Sequence, residues 1–281
     1  MTAHHINPTD AVWLTHFAQD TQDWVQYPLD QLALALLDNY SSTDPALRDS
    51  LSYTLLERLM SEERVSANTV IEVAHKSIDA EHLFWRIGEK ETDSVFMRAF
   101  SILTVPIVLQ YYEKHPPIPE PLWDSLLEAT LRYATLEDDW RGYVLHKGWA
   151  HAAAHLADAL GSLGSKDCLD GRTVKAVLTA LHDVATVPVA LGHTEDDRLA
   201  YGAFTLIESQ RLSAESVMAW LDSFPWIPAG NVGMETIRGA NANHFLRSLY
   251  FRYLYHDPKS PHLALIAAAA RRFDIFQRTQ G

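Results

Sequence analysis

Apolar residues recur at four-residue spacing behind clear helix starts, and this pattern constrains the fold more than any other feature. The clearest example begins at Asp44 and Pro45, which suit the cap and the first turn of a helix. A leucine then stands at every fourth position from Leu47 to Leu59. Alternating strand patterns are almost absent, and glycine is scarce at 12 residues. The sequence therefore predicts an all-α fold.

Helix signals continue along the rest of the chain. A helix is predicted to open at Thr92 and Asp93 and to run to Tyr112, with a kink or restart at Pro106 because proline cannot donate the helical hydrogen bond. Further helices are predicted at 121–133, 148–163, 171–184, 195–208, 214–221, 234–255 and 262–277. The loops between them are short, which makes neighbouring helices antiparallel.

These helices indicate a single elongated helical domain over residues 1–281. The segment 115–121 contains four prolines, so a seam at 113–121 is expected to separate about five helices from about seven. Consecutive antiparallel pairs favour a stacked α-solenoid of the HEAT or armadillo kind, with a closed α/α toroid as the alternative. Such a stack has a concave inner face, where we expect the site.

The charge balance argues against several partners. Lys and Arg number 23 against 36 Asp and Glu, a net charge of -13, and no local basic cluster is visible in the sequence. Nucleic acid and anionic membrane surfaces are therefore not expected to bind. The longest apolar stretches, 102–109 and 263–270, fall short of the roughly 20 residues of a membrane span. With Cys168 as the single cysteine, no intramolecular disulfide or thiolate zinc cluster can form, and a cytoplasmic protein is expected.

Two histidines and a carboxylate form the most informative pattern. On a helix that starts near Gly148, His151, His155 and Asp158 would share one face, with Trp149 on the opposite side. Such a stripe could bind a divalent metal ion. It could equally supply acid–base or ligand contacts without a metal, or consist of core imidazoles satisfied by carbonyls and acids.

The loop before this stripe is polar and aromatic together. Arg141 could hold a ligand in a pocket walled by Trp149, or it could staple the loop through an ion pair with Asp158, Asp138 or Asp139. The candidate groove residues from this region are Asp139, Arg141, Tyr143, Lys147, Trp149, His151, His155 and Asp158.

Two later segments complete the candidate set. Thr194 can cap a helix with Asp197 as its capping-box partner, and Glu195 could instead reach the groove as a base or ligand. Asn243 lies inside a predicted helix, where it needs a hydrogen bond to a facing loop. Nucleophile-elbow and phosphate-loop motifs are missing.

Several of these segments carry a family resemblance. They are Gly88-Glu89, Asp93 to Ser101, Glu137 to Asp139, Arg141 to Val144, Gly148 to His151, His155, Asp158, Glu195 to Leu199, and Asn243 to Tyr250. Together they resemble the bacterial family known as domain of unknown function 2785, over roughly residues 30–255. Residues 141–158 are the most specific part, and Ala99 stands where the resemblance leads us to expect serine. The resemblance implies an all-helical protein and no established activity.

Two functions from different classes follow. The first is a non-catalytic helical protein that binds a peptide, a protein or a small ligand on its concave face. The second is a hydrolytic or acid–base enzyme, with or without a divalent metal, built around His151, His155, Asp158 and Arg141. A closed pocket of roughly 300 Å³ or more would favour the enzyme, and a long open groove would favour the binding protein.

Overall fold

The protein is mostly helical, as predicted. The computed structural model describes residues 4–166, 169–224 and 233–273, and 67% of these described residues are helical. In the described ranges, twelve α-helices and one short hairpin make up the regular structure, together with two 3₁₀ turns and a π-helical segment. The all-α fold is therefore confirmed.

The α-helices are α1 (Ala11–Gln19), α2 (Leu29–Leu36), α3 (Thr54–Ser61), α4 (Ala67–Ser77), α5 (Ser94–Lys114), α6 (Glu120–Leu136), α7 (Ala152–Gly164), α8 (Gly171–Val184), α9 (Glu195–Glu208), α10 (Ala214–Asp222), α11 (Met234–His256) and α12 (His262–Arg271). The 3₁₀ turns are Asp23–Gln26 and Leu37–Ser41, the π-helical segment is Ala46–Tyr53, and the strands are β1 (Tyr143–Val144) and β2 (Gly148–Trp149).

The chain divides into two compact units. The first comprises residues 1–139 and 143–159, and the second comprises 140–142 and 160–281. The segment 113–121, where a seam was predicted, lies inside the first unit and leads from α5 into α6. The division falls instead around the loop before α7 and within α7 itself. A solenoid arrangement of the helices stays a prediction.

Helix α5 is the centre of the first unit. It is apolar on nearly all sides, and it packs against α3, α4 and the Leu37–Ser41 turn. By length and composition α5 could cross a membrane, but 83% of its most apolar window is buried inside the unit, as in the core helix of a folded domain. The helix continues through Pro106, so of the two predicted outcomes the restart does not occur and the kink stays a prediction.

The first helix with four-residue leucine spacing differs from the prediction in its opening turns. Asp44 caps the segment, since its carboxylate accepts from the backbone N–H of Ala46 at 2.9 Å. The chain then forms the π-helical segment before it becomes α3. The wider π turn brings Arg48 and Ser52 into the buried face and leaves Leu47 and Leu51 half-buried.

The second unit is built from the end of α7 and from α8 to α12. Helix α11 packs against both α9 and α12, α8 packs against α9, and α10 packs against α12. The predicted bounds of α8 and α9 are confirmed to the residue. Helix α12 ends at Arg271, and the predicted end at 277 lies outside the described residues. A Cβ on Gly161 of α7 would lie 3.1 Å from the Cα of Gly202 in α9, so small residues do allow close helix approach.

Candidate functional site

A β-hairpin replaces the predicted start of α7. Tyr143 pairs with Trp149, and Val144 pairs with Gly148, in antiparallel register. Helix α7 begins only at Ala152, because Gly148 has φ +81° and His151 has φ +53°. Trp149 is therefore not on the buried back of a helix, as predicted, but lies in a strand with 38% of its surface exposed.

A fully buried arginine holds this hairpin. The Nη2 atom of Arg48 donates to the carbonyl oxygens of Lys147 at 3.0 Å and Trp149 at 3.2 Å, while Nη1 donates to that of Ser42 at 2.8 Å. Its guanidinium also lies 4.1 Å from the ring centroid of Phe96. Since backbone carbonyls are the acceptors, Arg48 fixes the path of the hairpin independently of the side chains there.

Aromatic rings run from the hairpin surface into the core of the first unit. The rings of Tyr143 and Trp149 form a T-shaped pair with centroids 4.9 Å apart. Trp149 stacks flat on His151 at 4.2 Å, and the His151 ring lies 5.7 Å from that of His155. His155 in turn meets Phe100 edge to face at 5.0 Å. The series therefore links exposed Tyr143 to side chains of α5.

A carboxyl group faces this series from the π-helical segment. The Oδ1 atom of Asp49 lies 2.6 Å from Nε of Arg48, as an ion pair without the alignment of a hydrogen bond. Burial raises the pKa of Asp49, and Arg48 and His151 oppose that shift electrostatically. Asp49 and His151 thus lie within electrostatic reach of each other, a proximity that the sequence analysis did not identify.

The structure does not support the three-ligand metal site. His155 is buried, and its Nδ1 donates to the carbonyl oxygen of Ala99 at 2.9 Å. Asp158 is half-buried, two turns into α7. Across the described ranges, no group of three or more His, Cys, Asp or Glu side chains is placed to hold a metal ion. A backbone carbonyl is the acceptor at Ala99, so the expected serine is not needed for this contact.

The loop before the hairpin is anchored by Arg98. This side chain is fully buried, and it forms two hydrogen bonds with the Glu137 carboxylate, at 2.6 and 2.9 Å. Oε1 of Glu137 also accepts from the backbone N–H groups of Asp138 and Asp139. Asp139, whose backbone N–H takes part in this anchor, is buried. Lys147 forms an ion pair with Asp93 at 2.6 Å.

In the second unit, Glu195 stabilises a tight turn. Its Oε2 accepts from the backbone N–H of His193 at 2.6 Å, and the side chain is buried. Thr194 has φ +68° and makes no side-chain cap, so the predicted capping box is wrong. Gly142 lies so close that a Cβ there would be 2.5 Å from Nδ1 of His193. Arg141, half-buried, directly precedes this contact.

The asparagine that binds a facing loop is Asn241 rather than Asn243. Asn241 donates to the carbonyls of Val187 and Val189 and accepts from the N–H of Leu191. Asn243 instead lines an open cleft of about 470 Å³ between α11 and α12. The predicted reason for a mid-helix asparagine was correct, and the residue was not.

The family relationship rests on one comparison. A model described as a protein of unknown function, DUF2785, matches residues 83–251, which is more than half of the chain. The chain belongs to the DUF2785 family. The DUF2785 match includes α5, the hairpin and Glu195, and it begins after Arg48 and Asp49. No curated protein and no solved structure matches the chain.

Arg48 and Asp49 were missed because they lie about one hundred positions before the hairpin that they contact. The sequence did contain a local signal, because the charged residues Arg48 and Asp49 interrupt the amphipathic pattern of a predicted helix at the start of its buried face. A buried arginine needs several acceptors, and the sequence alone does not say where they are.

Proposed function

We propose that the chain is a non-catalytic binding protein that holds a peptide segment of a partner on the exposed face of its hairpin. This hairpin face consists of Tyr143, Leu145 and Trp149. The main support is that these three apolar side chains are exposed within seven residues of sequence: Tyr143 at 49%, Leu145 at 71% and Trp149 at 38%. Exposed apolar groups scattered singly need no explanation, whereas neighbouring ones indicate an interaction site. Tyr143 and Trp149 are paired across the hairpin and in ring contact, and Leu145 follows two residues after Tyr143.

The rigidity of the hairpin supports this proposal. Arg48 holds the backbone carbonyls of Lys147 and Trp149, and the Trp149 ring is stacked on His151. A preorganised aromatic surface loses little conformational entropy when a partner binds. Tryptophan and tyrosine also contribute most of the binding energy at many interfaces.

Charged pairs in the same unit suit the rim of such an interface. Lys147 pairs with Asp93, and Lys90 pairs with Asp138 at 2.8 Å. An apolar centre with a polar surround is the usual composition of a protein interface. The hairpin face thus supports a binding function that does not require a concave groove. The concave groove itself stays a prediction.

Selection from a displayed random-peptide library tests the proposal. Peptides rich in apolar side chains should be enriched, and Tyr143→Ser or Leu145→Ser should weaken their binding by about tenfold, as for loss of an interface hot spot. Tyr255→Ser, which changes an exposed tyrosine of the second unit, is the matched control. The proposal fails if no peptide is enriched, or if the hairpin variants bind as well as the control.

A second candidate function is acid–base catalysis, which the electrostatic proximity of Asp49 and His151 favours. A carboxyl group with a raised pKa can deliver a proton at higher pH than an exposed one, and an imidazole can accept a proton from water. Chromogenic carboxylic and phosphoric esters test this function. Hydrolysis that Asp49→Asn and His151→Gln abolish, and that Asp124→Asn on the surface of α6 leaves intact, would establish it. Hydrolysis that survives both site variants would exclude these residues.

A further inference from the structure

A groove in the second unit combines a cationic end with an apolar end. Two adjoining cavities lie between α8 and α10, of about 490 and 450 Å³. They share the lining residues Lys175, Leu212 and Ser216. We call these two cavities together the α8–α10 groove.

The cationic end is formed by Arg172, Lys175 and Arg211, and among the described residues no carboxylate lines that cavity. Arg172 and Lys175 have no ion-pair partner within the described parts of the chain. Arg211 is held in place because its Nη1 donates to the carbonyl oxygen of Lys166 at 2.7 Å. The fold thus assembles a basic cluster that the sequence analysis did not find, because its members come from segments about forty residues apart.

Two described acidic residues beside the groove, Asp170 and Glu215, lie at helix N-termini. Asp170 caps α8 through the backbone N–H of Thr173, and hydrogen bonds from Thr173 lower the pKa of Asp170. Glu215 lies in the first turn of α10, where its own backbone N–H and Ser213 lower its pKa. Asp170 also attracts Arg172 electrostatically, and Glu215 lines the second cavity, so the three cationic side chains are only partly balanced by these two carboxylates.

The apolar end is rigid. Leu178, Ala219 and Trp220 line the second cavity. The indole N–H of Trp220 donates to the carbonyl oxygen of Leu178 at 3.0 Å, and its ring packs edge to face on Phe245. This wall therefore keeps its shape without a ligand, as is usual for small-molecule sites.

From the charge at one end and the apolar wall at the other, we propose that the α8–α10 groove binds a small amphiphilic anion. The anionic head, a carboxylate or a phosphate, would lie among Arg172, Lys175 and Arg211. Its hydrocarbon chain or ring would lie along Leu178, Ala219 and Trp220. This site is distinct from the hairpin face and does not depend on its function.

Calorimetry with three probes tests the proposal: octyl phosphate, inorganic phosphate and octanol, each below its aggregation threshold. Octyl phosphate should bind once per chain, and both partial probes should bind at least about tenfold more weakly, because each lacks one of the two contacts. Equal binding of octanol would exclude head-group recognition, and equal binding of inorganic phosphate would exclude the apolar contact. Absence of octyl phosphate binding up to millimolar concentration would overturn the proposal.

Point variants distinguish a structured binding site from nonspecific attraction between the ligand and positive surface charge. Arg172→Gln and Lys175→Gln should each weaken octyl phosphate binding by about fivefold to tenfold, as expected for a lost charge-assisted hydrogen bond. Ala219→Gln should fill the apolar end and weaken octyl phosphate binding without affecting inorganic phosphate. Lys259→Gln removes an exposed cation of the same unit outside the groove, and an equal loss in this control would contradict the proposal.

A further experiment tests whether the anionic head group belongs to a membrane lipid. The wild-type chain should not sediment with vesicles of anionic phospholipid, since its net charge is -13 and the groove accepts a single chain. Sedimentation that Arg172→Gln abolishes would replace the small-ligand proposal with a membrane surface. Tyr143→Ser should leave octyl phosphate binding unchanged, which keeps this test independent of the hairpin.

Discussion

At the residue scale, two buried arginines hold the loops of the first unit: Arg48 binds backbone carbonyls of the hairpin, and Arg98 binds the Glu137 carboxylate. Arg98 donates to Glu137, to the backbone carbonyls of Trp85, Arg86 and Glu89, and to the hydroxyl of Ser94. Burial alone would lower the pKa of Arg98, and the hydrogen bonds with Glu137 more than reverse this effect. Arg98 thus anchors the loop at 137–139 within the first unit, and the ion pair predicted for Arg141 stays a prediction.

Removing this anchor should strongly destabilise the protein. Arg98→Met leaves the Glu137 carboxylate buried without a counter-charge, so the free energy of unfolding should fall by about 3–5 kcal/mol. Chemical denaturation measures this loss. The double variant Arg98→Met with Glu137→Gln should recover much of it, because Gln keeps the acceptor for Asp138 and Asp139. An unchanged midpoint in Arg98→Met would contradict the buried pair.

The raised pKa of Asp49 predicts a specific pH dependence. Because the folded state holds this proton more tightly than the unfolded chain, stability from Asp49 is greatest below pH 3.8 and falls as pH rises through the raised pKa. The variant Asp49→Asn lacks this pH-dependent contribution to the free energy of unfolding. Its stability relative to wild type should therefore increase with rising pH, as measured by denaturation at several pH values. A constant difference would show that the Asp49 carboxyl is not perturbed, and Asp124→Asn is the exposed control.

At the element scale, the sequence predicted whole helices well and the hairpin not at all. The bounds of α8 and α9 follow from local signals, namely Asp170 as a cap and acidic residues in the first turn of α9. The hairpin has two-residue strands, which are too short to show an alternating pattern. Its conformation depends on Arg48, far away in the sequence, so local propensity could not reveal it.

Gly148 provides a test of the hairpin conformation. A Cβ at this residue would lie 2.8 Å from Cβ of Pro45, and its φ of +81° disfavours other residues. Gly148→Ala should cost about 2–4 kcal/mol from steric overlap and left-handed strain combined. Gly88→Ala is the matched control, since Gly88 has φ +90° with no atom within 4 Å, and should cost only about 1–2 kcal/mol. Equal melting temperatures for the two variants would refute the close packing of Gly148 on Pro45.

At the scale of the whole molecule, composition and apolar spacing were sufficient for the all-α class, because helix signals recur along the chain and add together. The division into two units could not be read in the same way. It depends on which buried faces meet, and the proline-rich segment 115–121 lies within one unit despite its strong linker signal. The DUF2785 match also crosses the division, starting in the first unit and ending inside α11.

The family-matched segment should therefore not fold alone. A chain of residues 83–251 lacks α1 to α4 and α12, although α3 and α4 cover α5, and α12 packs on α11. It also lacks Arg48, which holds the hairpin, and Tyr40, whose ring packs 5.7 Å from that of Phe100. Because exposing this much apolar surface would exceed the few kcal/mol by which a domain is stable, the truncated chain should bind a hydrophobic dye and melt without a cooperative transition. The full chain should melt cooperatively, and a cooperative, dye-free 83–251 chain would show that the packing of α1 to α4 on α5 is dispensable.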